Sequence, residues 1–416
     1  MASPYLEVFR SPRVAAILVL GFSSGLPLAL TGSTLQAWLT VTGIDIKTIA
    51  WFSWIGIPYL LKFLWAPLLD RYIPPFLGRR RGWMLLTQIA LVLGIIAMGT
   101  ASPEDGIWRV GTFALWVALA SASQDIVVDA YRTDVLPAKE RGMGAAVGVL
   151  GYRIAMLASG GLALILADQI GWRSTYFLMA ALMGIGVLTS FLAPEPATPP
   201  DTPRSLADAV AAPLRDFFSR RGALSLLLLI ILYKFGDALA GTLTTAFLIR
   251  GVGFDLTEVG VVNKWFGFAS LVTGALLGGA LMAKMSLYRA LLFFGVLQAI
   301  SNLSFAVLAW AGKSYALLVF TVAFENLASG MGTAAFVAFA MALCNQRFSA
   351  TQYALLSALA SLGRTLFGPT TGELVALVDW GNFFVVTFLA ALPGLFLVWL
   401  LREEIAAAET ATPAPA

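Results

Sequence analysis

Residues 107–131 read IWRVGTFALWVALASASQDIVVDAY, an apolar run that carries Asp125 and Asp129 towards its end. About 20 consecutive apolar residues suffice to cross the hydrocarbon of a bilayer as a helix. Eleven further runs of this kind fill nearly the whole chain. With this one, they lie at 14–39, 48–69, 83–101, 107–131, 142–166, 174–193, 223–247, 259–282, 290–310, 315–343, 351–376 and 382–401. Charges at Lys62, Asp125, Asp129, Arg153, Lys234, Asp237, Glu325 and Arg364 fall inside these runs instead of between them. Lipid penalises such residues by several kcal/mol unless they face a partner or a wet cavity, so they mark a path through the membrane. The expectation is an all-α integral membrane carrier of 12 spanning helices.

Composition agrees. The chain has 416 residues, is 59% hydrophobic and only 12% charged, with a mean hydropathy of +0.84. Soluble domains carry roughly twice that share of charge. The lone cysteine, Cys344, cannot form an intrachain disulfide and reads as a small buried residue. No histidine exists, and no cluster of metal-ligand type is present, so neither a metal nor another cofactor is expected. The polar N-terminus, Met1 to Arg13, lacks a signal cleavage site, and the run after it should remain as the first span. If the N-terminus is cytoplasmic, the inner segments hold seventeen Lys and Arg residues against five outside (Lys47, Arg109, Arg173, Arg250 and Lys313). That bias places both termini in the cytoplasm.

A polar stretch from Pro194 to Arg221 separates six runs from six. The expected division is residues 1–193 for the first half, 194–222 for a cytoplasmic linker, 223–402 for the second half and 403–416 for a tail. Landmarks recur between the halves. Gly43-Ile44-Asp45-Ile46 matches Gly253-Phe254-Asp255-Leu256, Arg79 matches Arg289 and Gln88 matches Gln298, each at an offset of 210. Leu150-Gly151-Tyr152-Arg153 matches Leu362-Gly363-Arg364 with slight drift. An even number of spans per half makes the two parallel repeats, an organisation similar to that of the major facilitator transporters. Ala66-Pro67-Leu68-Leu69-Asp70-Arg71 followed by Gly78-Arg79-Arg80-Arg81 resembles that family's cytoplasmic loop signature. It departs in having Ala66 for a glycine and in the insertion Tyr72 to Leu77. Asp70 and Arg71 are therefore candidate gating residues. Gly144 with Gly148, and Gly274 with Gly278, form Gly-x-x-x-Gly pairs that let helices approach closely.

The charged residues suggest the chemistry. Arg153 and Arg364 are equivalent, near-central guanidiniums suited to a carboxylate or phosphate, so an anionic substrate is expected. Asp125 and Asp129 share a helix face, and burial with like-charge repulsion suits carboxylates to take up and release protons. Without histidine, proton coupling falls to Asp125, Asp129 and Glu325. Lys62 could neutralise either aspartate, while Lys234 and Asp237 are three apart and expected to pair with each other. Tyr59, Tyr152 and Tyr233 lie deep enough to stack on a sugar, and Asn326 sits beside Glu325. Trp38, Trp51 and Trp54 read as an interfacial aromatic belt. Gly312-Lys313-Ser314 imitates the end of a phosphate loop, but Val307 stands where its first glycine should be. Energy should thus come from a gradient, and neither catalysis nor nucleic acid is expected.

Closer matches cover Met1 to Arg402. Segments such as Leu20-Gly21-Phe22-Ser23-Ser24-Gly25-Leu26-Pro27, Lys62-Phe63-Leu64-Trp65-Ala66-Pro67, Ser121-Ala122-Ser123-Gln124-Asp125 and Phe324-Glu325-Asn326-Leu327 resemble bacterial muropeptide permeases of the AmpG type. The resemblance implies a proton-driven symporter of the inner membrane, working as a monomer. It would import sugar–peptide fragments of the cell wall for peptidoglycan recycling, which also informs β-lactamase induction in some bacteria. It carries the family's small-residue turn onto Gly25 and its fourth-helix signature onto Gln124 and Asp125. The same Gln-Asp-Ile-x-x-Asp element is similar to that of acetyl-coenzyme A transporters, so another anion, or a non-transporting sensor, stays open.

Overall fold

Hydrocarbon offers no water to backbone N–H and C=O groups, so each spanning segment must pair them internally, and apolar runs become helices. The computed structural model describes residues 11–104, 106–136, 141–194, 218, 222–343 and 349–411. The side-chain surroundings of Asp70, Arg71 and Gly144, together with Cys344 and most of the expected linker, lie outside the described residues.

The helices run α1 Pro12–Thr31, α2 Ser33–Val41, α3 Ile46–Trp51, α4 Ile57–Leu61, α5 Ala66–Arg71, α6 Arg79–Thr100, α7 Ile107–Val135, α8 Arg141–Leu157, α9 Ala163–Ile170 and α10 Trp172–Leu192. They continue with α11 Ala223–Tyr233, α12 Phe235–Ala246, α13 Leu256–Glu258, α14 Gly267–Met282, α15 Leu287–Ala311, α16 Tyr315–Ala342, α17 Ser349–Phe367, α18 Thr370–Leu400 and α19 Arg402–Ala411. Counted as continuous stretches, ten helices among the described residues are long and apolar enough to cross a membrane. The expected span at 48–69 is instead a broken one. Gly56 and two prolines, Pro58 and Pro67, interrupt it, and short 3₁₀ turns at Phe52–Gly56 and Lys62–Leu64 link its three pieces. Proline removes a backbone donor and crowds the preceding turn, which explains the breaks. At the other end of the chain, Asp379 (φ 66°, ψ 167°) divides α18 in two.

Two compact units form. One comprises Met1–Ile44 and Ile55–Arg204, the other Asp45–Trp54 and Ser205–Ala416. In the first, α1 packs along α8, and α6 lies against α7 and α10. Glycines set the α1–α8 spacing: a Cβ on Gly21 or Gly25 would run into the Gly148 or Tyr152 carbonyl, and one on Gly151 into the Leu18 carbonyl. Arg80 and Arg81 tie the start of α6 to its neighbours. Arg80 Nε donates to Asp134 Oδ2 at 2.8 Å within a buried ion pair, and Arg81 donates to the Ser190 and Phe191 carbonyls at the end of α10. Trp38 does not join an aromatic belt. It is 5% exposed, stacks on Trp172 and packs at a tilt against Tyr176, whereas Trp51 and Trp54 are exposed.

In the second unit α14 packs on α16, and α15 lies against α16 and α18. Gly274 meets the Leu327 carbonyl, Gly278 the backbone of Met331, and Gly330 the Leu271 carbonyl, so this Gly-x-x-x-Gly pair is a packing seam. The repeated Gly-x-Asp-apolar landmark also acquires a physical meaning. Gly43 (φ 78°) and Gly253 (φ 90°) each turn the chain through a positive φ, and the following aspartate caps the next helix. Asp45 accepts from the Lys47 and Thr48 amides, and Asp255 forms a reciprocal capping box with Glu258.

Candidate transport site

Sequence expectation and geometry meet in two polar clusters, one in each unit. In the first, Asp125 projects from α7 towards Lys62, whose Nζ lies 3.9 Å from Asp125 Oδ2. Lys62 reaches this position because the broken second span starts a 3₁₀ turn there. Ser24 on α1 also faces Asp125. Tyr59 faces Ser121 and Thr31, with Asp125 and Tyr152 within electrostatic reach. Ser121, Gln124 and Asp125 share one side of α7 through their i, i+3 and i, i+4 spacing. Gly25 completes the arrangement by letting α8 approach closely enough to present Tyr152.

Several of these groups lack a partner. Ser24 Oγ, Tyr59 Oη, Ser121 Oγ and both amide atoms of Gln124 are buried without a hydrogen bond. An unsatisfied buried polar group costs about 1–3 kcal/mol, so a set of them beside a carboxylate is provision for water or a polar ligand. Ser24 and Ser121 escaped the sequence reading. The detectable signal was Ser121, one helical turn before Asp125. Asp129, one turn further along α7, pairs with Arg132 Nη2 at 2.9 Å with its side chain 58% accessible, and Asp125 and Tyr152 lie within its electrostatic reach. Arg153 is exposed on α8.

The second cluster is built on interrupted helices. Lys234 sits at the break between α11 and α12 (φ −102°, ψ 5°). The expected Lys234–Asp237 ion pair is not formed. Lys234 Nζ instead donates to Gln298 Oε1 at 3.2 Å and Thr333 Oγ1 at 3.1 Å, because the break turns it towards α15 and α16. Asp237 and Glu325 remain within its electrostatic reach. Gln88 and Gln298, 210 residues apart in sequence, make different contacts: Gln88 Oε1 accepts from the Ser190 hydroxyl, Gln298 Oε1 from an ammonium.

Lys264, absent from the sequence candidates, lies in a π-helical turn, Val259–Phe266. Its Nζ is 3.4 Å from Thr245 Oγ1, with Arg364 and Glu325 within electrostatic reach. Its signal in the sequence was plain, a lysine inside the eighth apolar run. Arg364 is exposed on α17 and senses Asp237. Two expected contacts take other roles. The Tyr233 hydroxyl donates to the Leu291 carbonyl at 3.0 Å while its ring stacks on Phe336 in the core, and Asn326 Nδ2 donates to the Val322 carbonyl one turn back. No group of metal-ligating side chains occurs among the described residues.

The chain is 55% identical over 406 residues to the anhydromuropeptide permease of Escherichia coli K12, covering 97% of this chain and 83% of that one. It is 39% identical to an uncharacterized protein of Haemophilus influenzae, covering 92% of this chain and 94% of the relative. Among solved structures, a bacterial homologue of the human lysosomal transporter Spinster superimposes with a TM-score of 0.73 at 16% identity, covering all of both chains. The nucleoside transporter NupG, as a D323A mutant, gives 0.73 at 14% identity, covering 93% of this chain and 99% of that one. At such identities these two show the fold alone. The Major Facilitator Superfamily model matches residues 17–368, and the chain belongs to that superfamily, within the AmpG-type permeases.

Proposed function

We propose that the protein is a proton-coupled secondary transporter of the bacterial inner membrane. It carries anhydromuropeptides, GlcNAc-anhydroMurNAc units bearing short peptides, from periplasm to cytoplasm by alternating access. Twelve spans with both termini in the cytoplasm serve this reading, the broken second span and α17 completing the ten long apolar stretches. It uses no cofactor and catalyses no reaction.

The observation that carries the proposal is the 55% identity, spread over 97% of the chain, to a protein described as an anhydromuropeptide permease. The side chains suit such a substrate. Unpartnered hydroxyl and amide groups of Ser24, Tyr59, Ser121 and Gln124 match sugar hydroxyls and N-acetyl groups. Cations at Lys234, Lys264 and Arg364 match peptide carboxylates. Asp125, paired only at 3.9 Å and flanked by hydroxyls, is the leading proton carrier, with Glu325 in the second cluster as the other candidate. Asp70 and Arg71 remain the proposed inner gate.

The test is uptake in bacteria deleted for their own muropeptide carrier. Expression of this chain should restore accumulation of radiolabelled GlcNAc-anhydroMurNAc-tripeptide, and a protonophore should abolish it. Uptake no greater than that of the empty-vector strain would refute the assignment.

A further inference from the structure

Lys62, the counter-ion of Asp125, stands on backbone that cannot hold itself in place. The 3₁₀ turn Lys62–Leu64 joins two helices of five and six residues, α4 and α5. Helices so short leave most of their end groups without internal partners and are marginal alone. Leu61, Phe63 and Leu64 are exposed, so they do not fix the turn against α7. The residue that does is Trp65. It closes the turn, its amide donating to the Lys62 carbonyl at 3.3 Å and its carbonyl accepting from the Leu68 amide at 2.9 Å. Its side chain packs against the buried cluster that includes Leu69, Met84, Val127 and Tyr131. Indole Nε1 donates to Ser123 Oγ at 3.0 Å, and that hydroxyl donates onward to the Leu119 carbonyl at 2.8 Å. A hydroxyl has one proton to give. With it committed to Leu119, Ser123 acts towards the indole as an acceptor only.

Two links therefore join the same two segments. Trp65 follows Lys62 by three residues on the broken span, and Ser123 precedes Asp125 by two on α7, so the first link sets the span of the second. The Lys62–Asp125 separation of 3.9 Å exceeds the about 2.7–2.9 Å of a direct ammonium–carboxylate hydrogen bond. The lysine stem is flexible, so the placement of the turn decides this distance. An ammonium at that range steadies a carboxylate without capturing it in a bond, as a group that must take up and release protons requires.

We propose that Trp65 is a positioning residue: through Ser123 it holds the 3₁₀ turn on α7 and so sets the distance from Lys62 to Asp125. The assignment rests on Asp125 as the proton carrier. The other titratable groups within electrostatic reach of Asp125 are Tyr59 on α4, Tyr152 on α8 and Asp129 on α7, with Arg153 acting on Tyr152 and Arg132 paired to Asp129.

The test follows the infrared carboxyl band of Asp125 in a pH titration of the full-length protein in lipid, isolated as the difference from Asp125→Asn. Trp65→Phe keeps a ring and removes the N–H. It should move the midpoint in the same sense as Lys62→Met, by about half a unit, because the freed turn lets the cation drift away. Ser123→Ala removes the acceptor from the other side and should move it equally, and Trp65→Phe/Ser123→Ala no further. In the Lys62→Met background Trp65→Phe should have no effect, since Trp65 acts through Lys62. An unchanged or oppositely moved midpoint in Trp65→Phe, or a shift that persists without Lys62, overturns the assignment. Should Trp65→Phe not fold, Ser123→Ala is read against the same outcomes. A wild-type titration without an Asp125 band removes Asp125 as proton carrier and the positioning role with it.

Discussion

Replacing Lys62 by methionine leaves the Asp125 carboxylate without its counter-charge in a site that is only 14% accessible. Two unit charges 3.9 Å apart attract by about 4 kcal/mol at an effective dielectric of about 20. Lys62 is 35% accessible, however, so water screens its end of the pair. The coupling should therefore fall to about 1–2 kcal/mol, between the values for exposed and fully buried pairs. A double-mutant cycle isolates it: wild type, Lys62→Met, Asp125→Asn and the double variant, each unfolded chemically in detergent. Lys62→Met alone should be the least stable of the four, because it strands a charge. Adding Asp125→Asn should recover about 1–2 kcal/mol, since a neutral amide needs no counter-ion and can bond with Ser24. Effects that add to within about 0.5 kcal/mol would show that the two residues do not interact, and the first cluster would lose its organising pair.

Other consequences follow from particular contacts. Arg80→Ala should destabilise the first unit by about 3–5 kcal/mol, because Asp134 stays buried without its partner; Arg80→Ala/Asp134→Ala should restore part of the loss in the same unfolding assay. Gly25→Val places a side chain against the Tyr152 backbone, which cannot move aside. It should lower stability by about 1–3 kcal/mol, and limited proteolysis should cut the variant faster than wild type. Asp379 has a conformation that favours glycine, so Asp379→Gly should raise the melting temperature by relieving strain of about 1 kcal/mol or more. An unchanged or lower value would mean that the Asp379 side chain compensates for its backbone.

Much of this architecture was legible because hydrophobic runs, charge asymmetry and caps obey local rules. The apolar window at 107–131 became α7, and the Gly-x-Asp landmarks proved to be turns followed by helix caps. The misreadings came where the chain leaves regular helix geometry or packs against residues distant in sequence. A window of hydropathy treats 48–69 as one span, although Gly56, Pro58 and Pro67 signalled its breaks. Three-residue spacing suggested a Lys234–Asp237 pair, but it presumes a regular helix, and the helix ends at Tyr233. Trp38 looked interfacial from its place in the sequence; only tertiary packing reveals the stack with Trp172. Within the site, Asp125 and Lys62 stood out because charge is rare in lipid. Ser24 and Ser121 did not, since serine is ordinary in membrane helices and becomes informative only when found buried without a partner.

Asp125 is proposed to couple a proton to movement of an acidic sugar–peptide. The most direct measurement uses proteoliposomes holding wild type or Asp125→Asn, comparing accumulation of labelled GlcNAc-anhydroMurNAc-tripeptide under an imposed proton gradient with exchange at equal pH. Wild type should accumulate the compound only with the gradient, while Asp125→Asn should exchange it but never concentrate it. Gradient-driven accumulation by Asp125→Asn at the wild-type level would contradict it.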